Sequence, residues 1–311
     1  MPRTSLIPAA LTAMAILLLA VPGCGDAAAP RDASAAPAGP VVAATVPPHA
    51  WLARRIGGEE VEVLVALSGI ASCHDGAPPD AAVVALSRAE LFFTAGIVAE
   101  DGPWLAAVLR SGDVDEVDLL AAAREGLPAE LAAIVGEDAH AWTDPASLRR
   151  QAAAIAAAMS RQWPERAATF TANAAALDAE LAALEQRVDE QLAGVRGGTI
   201  VVDHPAWTWL AATHGIRQLA VMPESGAASD RSLQEIRELM LEGGLRTIIA
   251  QPQHDPRSSL ALAETVEARL VTLDPMAADV VAGIRAAAEA IPAAAVGGTP
   301  PEAGADASPR S

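Results

Sequence analysis

Residues 164–195 read PERAATFTANAAALDAELAALEQRVDEQLAGV. Strong helix formers (Ala, Leu, Glu, Gln and Arg) fill most of this stretch. Leu177, Leu181, Leu184, Val188 and Leu192 recur at steps of three and four residues, which lays one apolar stripe along a helix. Pro164 suits a first helical turn, where a missing N–H costs nothing, and Gly197-Gly198 supplies a stop. The spacing predicts one long helix over 164–195, roughly 45 Å at 1.5 Å per residue. The preceding run, from Pro145 to Trp163, has the same helix-rich composition.

Outward from this rod, short apolar runs alternate with helical ones. Strands are expected at 41–46, 61–67, 91–94 and 114–120 before it, and at 199–202, 218–221, 247–250 and 270–273 after it. Helices are expected at 51–56, 79–86 and 104–109, then at 206–213, 232–241, 257–268 and 277–290. Such alternation implies parallel sheets with helices on both faces. The expected fold is α/β: two doubly wound lobes joined by one long rigid helix. The expected division is a signal peptide (1–23), a flexible tether (24–40), a first lobe (41–163), the connecting helix (164–196), a second lobe (197–292) and a disordered tail (293–311).

Composition narrows the function. Apolar residues make up 52% of the chain and aromatic ones 3%, so the cores rest on Ala, Leu, Val and Ile. There is no Tyr and no Lys, and the net charge of −18 argues against nucleic acid as a partner. At the N-terminus, Arg3 precedes the nearly continuous apolar run 6–21, short for a membrane span and interrupted by Pro8. Val21-Pro22-Gly23-Cys24 resembles a lipobox, in which Cys24 carries the lipid; the alternative is an ordinary signal peptide cleaved nearby. Either places the mature protein outside the cytoplasm. The other cysteine is Cys73, so acylation of Cys24 would leave no intrachain disulfide.

Four residues carry the chemistry: His74, His140, His204 and Asp274. Each is expected where a strand, or the loop after it, gives way to a helix, the usual place for ligand groups in α/β domains. Three imidazoles and one carboxylate complete a four-coordinate shell for a borderline cation such as Zn²⁺. His74, His140 and Asp274, and Asp203 beside His204, also have plain readings. His74 in a loop can be solvated surface, and His140 can sit by chance in a capping turn whose cap is Asp144. Asp203 can orient an imidazole or cap a helix, and Asp274 before Pro275 can be a helix cap. The combination favours a metal gripped between two lobes. His49 and His214 read as structural, at a helix start and a helix end respectively.

The chain resembles the solute-binding proteins of bacterial zinc and manganese ABC transporters, the ZnuA-like metal-binding lipoproteins. The matching pieces stand in order: the run VVAATVPP (41–48), Ile56-Gly57-Gly58, Ala71-Ser72-Cys73-His74, Ala89-Glu90-Leu91-Phe92-Phe93, and His140-Ala141-Trp142-Thr143-Asp144-Pro145, similar to the family's His-Ala-Trp-x-Asp-Pro. Val201-Val202-Asp203-His204, Pro223-Glu224-Ser225, Ala250-Gln251-Pro252-Gln253 and Thr272-Leu273-Asp274-Pro275 follow. The resemblance spans residues 41–290. It implies His74, His140, His204 and Asp274 as ligands, with Cys73, Asp203 and His254 as auxiliary candidates. Three departures stand out. Cys73 replaces the usual Pro, His254 stands where Phe is more common, and the long His-rich loop of many zinc members is missing.

Three nitrogen donors favour Zn²⁺ over Mn²⁺, which prefers oxygen; manganese members commonly carry Glu where this chain has His204. The expected function is a monomeric, lipid-anchored, extracytoplasmic receptor that captures Zn²⁺ and delivers it to an ABC permease. The alternatives are a manganese receptor, a periplasmic zinc chaperone or adhesin, and a zinc hydrolase. An enzyme is not expected: a ligating Asp274 leaves no open coordination position, and the chain has neither HExxH nor Gly-x-Ser-x-Gly.

Overall fold

In the first half of the chain, β1 (Val41–Ala44), β2 (Glu62–Val65), β3 (Leu91–Thr94) and β4 (Asp115–Asp118) form a parallel sheet in the order β2-β1-β3-β4. The helices α1 (Pro47–Gly57), α2 (Asp80–Leu86) and α3 (Pro103–Arg110) connect its strands, and α4 (Leu119–Arg124) and α5 (Ala129–Val135) follow β4. Next come α6 (Pro145–Gln162) and α7 (Ala167–Leu192). The second half builds β5 (Thr199–Val202), β6 (Arg217–Ala220), β7 (Thr247–Ala250) and β8 (Arg269–Thr272) into a parallel sheet ordered β6-β5-β7-β8. Its helices are α8 (Thr208–Thr213), α9 (Asp230–Gly243), α10 (Arg257–Val266) and α11 (Val280–Ala294). These elements come from a computed structural model that describes residues 39–68, 76–111, 113–222 and 229–297. Cys24, Cys73, His74, Pro223-Glu224-Ser225 and the tail from 298 lie outside them. No helix among the described residues is long and apolar enough to cross a membrane.

Both sheets share one topology, which places a switch point between β1 and β3 and another between β5 and β7. Strand order reverses there, so the connecting loops diverge and leave a crevice at the carboxyl ends of the strands. Strand periodicity sorts the core into three clusters. Val41, Ala43 and Phe92 face outward, packing with Leu86, Trp104 and Val108. Val201 and Ile248 face the other outer layer, with Ile236, Met240 and Leu262. The alternate residues, Val42, Ala44 and Phe93 from one sheet and Ile200, Val202 and Ile249 from the other, join a single inner cluster.

The long helix explains why that cluster is continuous. Leu177, Leu181, Leu184, Val188 and Leu192, the stripe legible in the sequence, are all buried in it. They share it with Ile155 and Met159 of α6 and Ile284 and Ile291 of α11. Short 3-10 turns at Pro164–Arg166 and Ala193–Val195 flank α7, so the predicted rod over 164–195 is helical with both ends tightened. Gly197, at φ 79°, then turns the chain into β5.

One strand expectation needs correction. The run 114–120 does not stay extended: Asp118 accepts a hydrogen bond from the Ala121 backbone N at 2.9 Å and caps α4, so Leu119 and Leu120 begin a helix. The two short helices α4 and α5 were not anticipated; a six- or seven-residue segment offers too few turns to show a helical period.

Candidate metal centre

His204 leaves the carboxyl end of β5, at the switch point of the second sheet. Asp203 fixes it there, its carboxylate bonding the backbone; the helix-cap reading fails, since α8 begins without a side-chain cap. Oδ1 accepts the His204 backbone N–H at 2.7 Å, and Oδ2 accepts that of Gln251 at 3.0 Å. Asp203 therefore laces the end of β5 to the end of β7. Burial pushes its carboxyl up to about 6, against the pull of those two backbone donors.

His140 sits elsewhere than the sequence suggested. It follows α5, across a short turn, not a strand. What places it is Asp138, a residue that sequence reasoning missed. Asp138 Oδ1 accepts both the backbone N–H of His140 and its ring Nδ1, each at 2.7 Å. A carboxylate oxygen offers only lone pairs, so Nδ1 carries the hydrogen, and in the neutral ring Nε2 then carries the lone pair. Metal-bound histidines are commonly held in this way. The available signal was an acid two residues before a histidine. Asp144 caps α6 as expected, accepting the Ser147 N–H at 2.8 Å.

Two indoles stitch this loop to the second half of the chain. Trp142, fully buried, donates from Nε1 to Pro275 O at 2.7 Å, and Trp209 of α8 donates to Asp138 O at 2.9 Å. His140 and His204, each 3% exposed, thereby meet edge to face from opposite halves, with ring centroids 5.6 Å apart and planes at 73°. Two imidazoles bound to one Zn²⁺ at about 2.0–2.1 Å and near-tetrahedral angles hold their centroids about 5 Å apart. The observed spacing is close to that value.

Asp274 follows β8 and is exposed. Its Oδ1 accepts from Gln253 Nε2 at 2.7 Å and from the Met276 backbone N at 2.9 Å. Asp274 is thus not the helix cap of the plain reading, since Asp279 caps α11; it closes a local turn through one oxygen, and Oδ2 takes part in neither bond. Gln253 Oε1 and Gln251 Nε2 are buried beside this loop without hydrogen-bond partners among the described residues. His254 stacks on His204, with centroids 4.5 Å apart and planes at 30°. His74 and Cys73 lie outside the described residues, among which no three His, Cys, Asp or Glu groups close into a metal cluster.

The two remaining histidines are structural. His49, in the first turn of α1, meets Gln151 Oε1 at 2.6 Å and packs edge-on to Trp142; burial lowers its pKa to about 4. His214, at the end of α8, holds Leu210 O with Nδ1 at 2.8 Å and lies 3.1 Å from Asp189 through Nε2.

The family model described as periplasmic zinc-uptake complex component A, ZnuA, matches residues 42–291. A high-affinity zinc uptake system protein ZnuA of Paracoccus denitrificans is 35% identical over 144 residues, 45% of this chain and 44% of that protein. The matched part thus spans under half the length of that curated relative. A crystal structure of ZnuA superposes with a TM-score of 0.75 at 28% identity, covering 82% of this chain and 99% of the other. A ZnuA deletion mutant with zinc bound gives 0.74 at 28%, covering 82% and 98%.

Proposed function

This chain belongs to the ZnuA family of periplasmic zinc-uptake components, and from that premise we propose that it is an extracytoplasmic receptor that captures Zn²⁺ between its two halves and delivers it to an ABC permease. His74, His140, His204 and Asp274 are the proposed ligands. The observation that carries this reading is the approach of His140 and His204 from opposite halves, at 5.6 Å, with the His140 ring pinned by Asp138.

Each proposed residue has a defined task. Asp138 fixes the tautomer that turns Nε2 of His140 toward the cation. Asp203 sets where His204 leaves its sheet. Asp274 supplies the one anionic donor through Oδ2, while Gln253 and the Met276 N–H hold its other oxygen. With Asp274 bound, no coordination position remains open for a substrate, which separates a receptor from a zinc hydrolase. The nitrogen-rich set favours Zn²⁺ over Mn²⁺. Lipid attachment at Cys24 would hold the receptor at the membrane beside its permease.

Native mass spectrometry of metal-stripped protein offered Zn²⁺ and Mn²⁺ tests the reading. One Zn²⁺ per chain is expected for the wild type, and loss of that ion for His204→Ala. Equal Zn²⁺ uptake by the variant would remove His204 from the site and overturn the reading.

A further inference from the structure

Resting on that receptor reading, we propose that His254 is a metal-exchange ligand: an imidazole that takes Zn²⁺ from solvent, hands it to His204, and reverses the transfer on release.

The juxtaposition is built into the backbone. Asp203 bonds the backbone N–H groups of both His204 and Gln251, and Gln251 O accepts from the His254 N–H at 3.4 Å, closing a turn. One carboxylate thus fixes the origins of both imidazoles and holds His254 over the face of His204. The two rings differ in access: His204 is 3% exposed, whereas His254 is half-buried.

The stack also limits what His254 can do. Lone pairs of imidazole nitrogens lie in the ring plane. Planes only 30° apart at 4.5 Å do not converge on one cation at bonding distance. That limit comes from the stacking of one ring over the other, which the edge-to-face pair of His140 and His204 does not share. His254 is therefore not a permanent member of the bound shell in this arrangement. A swing about its side-chain torsions brings its nitrogen to the outer side of the cation. The exchange is a ligand substitution: a Zn–water bond breaks as a Zn–N bond to His254 forms, and that bond breaks in turn as His204 binds. No proton or electron has to be supplied by a third party. A phenylalanine at this position would supply the same stacking face without a nitrogen.

His254→Phe isolates the nitrogen. The experiment follows intrinsic tryptophan fluorescence of the full chain in a stopped-flow instrument, first on mixing with Zn²⁺, then on mixing the loaded protein with excess EDTA. Trp142, 5.3 Å from His140, is the natural reporter, and the chain has no tyrosine to confuse it. Both association and dissociation should slow, each about tenfold, with the equilibrium constant changing less than either rate. Unchanged rates overturn the exchange role. Faster dissociation with unchanged association makes His254 a permanent ligand and also overturns it. A wild type that takes up no Zn²⁺ overturns the receptor reading and this one together, whereas His204→Ala losing Zn²⁺ while His254→Phe keeps wild-type rates removes only this one. A thermal melt of His254→Phe matching the wild type shows that the variant is folded.

Discussion

Asp138 concentrates the residue-scale argument, because one oxygen anchors both the backbone and the ring of His140. Asp138→Asn keeps the shape but replaces a charged acceptor with an amide that can present its NH₂ group instead. Zinc affinity, measured by competition with a chromophoric chelator, should fall about 10- to 100-fold with little change in melting temperature. An unchanged affinity would mean that packing alone orients the ring. His49 makes a separate, pH-dependent prediction. Its pKa is about 4 in the fold against 6.5 in the free side chain, so between those values the unfolded chain binds a proton that the folded one refuses. Its contribution is complete above pH 6.5 and is lost as pH falls toward 4, a change on the order of 3 kcal/mol. Asp144 and Asp203, both pushed up to about 6 by burial, act with the opposite sign over part of the same range. The wild type should therefore be compared with His49→Phe in denaturant titrations from pH 7 to pH 4. The variant should lose stability less steeply; parallel curves would exclude His49 as the source. At this scale the sequence offered His140, His204 and Asp274 as isolated letters. It did not reveal Asp138 as a partner, because the pairing depends on a turn that bends the chain back within two residues.

At the scale of elements, the long helix was the most legible feature and carries the most structure. Its stripe is periodic over many turns, so the pattern rises above local noise. The structure adds that α7 pairs with α6 through more than apolar contact: Arg149 of α6 reaches Asp178 at 2.7 Å and Glu185 at 2.9 Å on α7. Those side chains are a third to a half exposed, so solvent screens the ion pairs and they contribute little beside the buried leucines. Leu181 is fully buried in the inner cluster, and Leu181→Ala should cost about 2–5 kcal/mol. Because that cluster takes residues from both sheets, urea unfolding of the variant should remain a single transition with a lower midpoint. Two resolved transitions would show that the halves fold on separate cores. The β4 region was misread for the opposite reason to α7. One capping carboxylate, Asp118, decides where strand becomes helix, and no periodicity in 114–120 announces it.

At the scale of the molecule, the inner cluster ties both sheets to α6, α7 and α11, and the indoles of Trp142 and Trp209 bond each half to the other beside the proposed metal centre. A wide clamshell opening would break these contacts together. Small-angle scattering should give nearly equal radii of gyration for the metal-stripped and Zn²⁺-loaded protein, with any change confined to loops; a marked contraction on loading would contradict a shared rigid core. By itself, the sequence determined the α/β alternation, the connecting rod, the class of donor residues and the family to which they point. These are one-dimensional properties: hydrophobic period, helix propensity and residue chemistry need no neighbour distant along the chain. Only the tertiary structure decided that both halves share one core, that Asp203 ties the ends of two strands through their backbone, that Asp138 holds His140, and that His254 lies flat against His204. Each of those rests on groups brought together by strand order and turns, and contact between residues far apart along the chain leaves no trace in the local pattern of a single sequence.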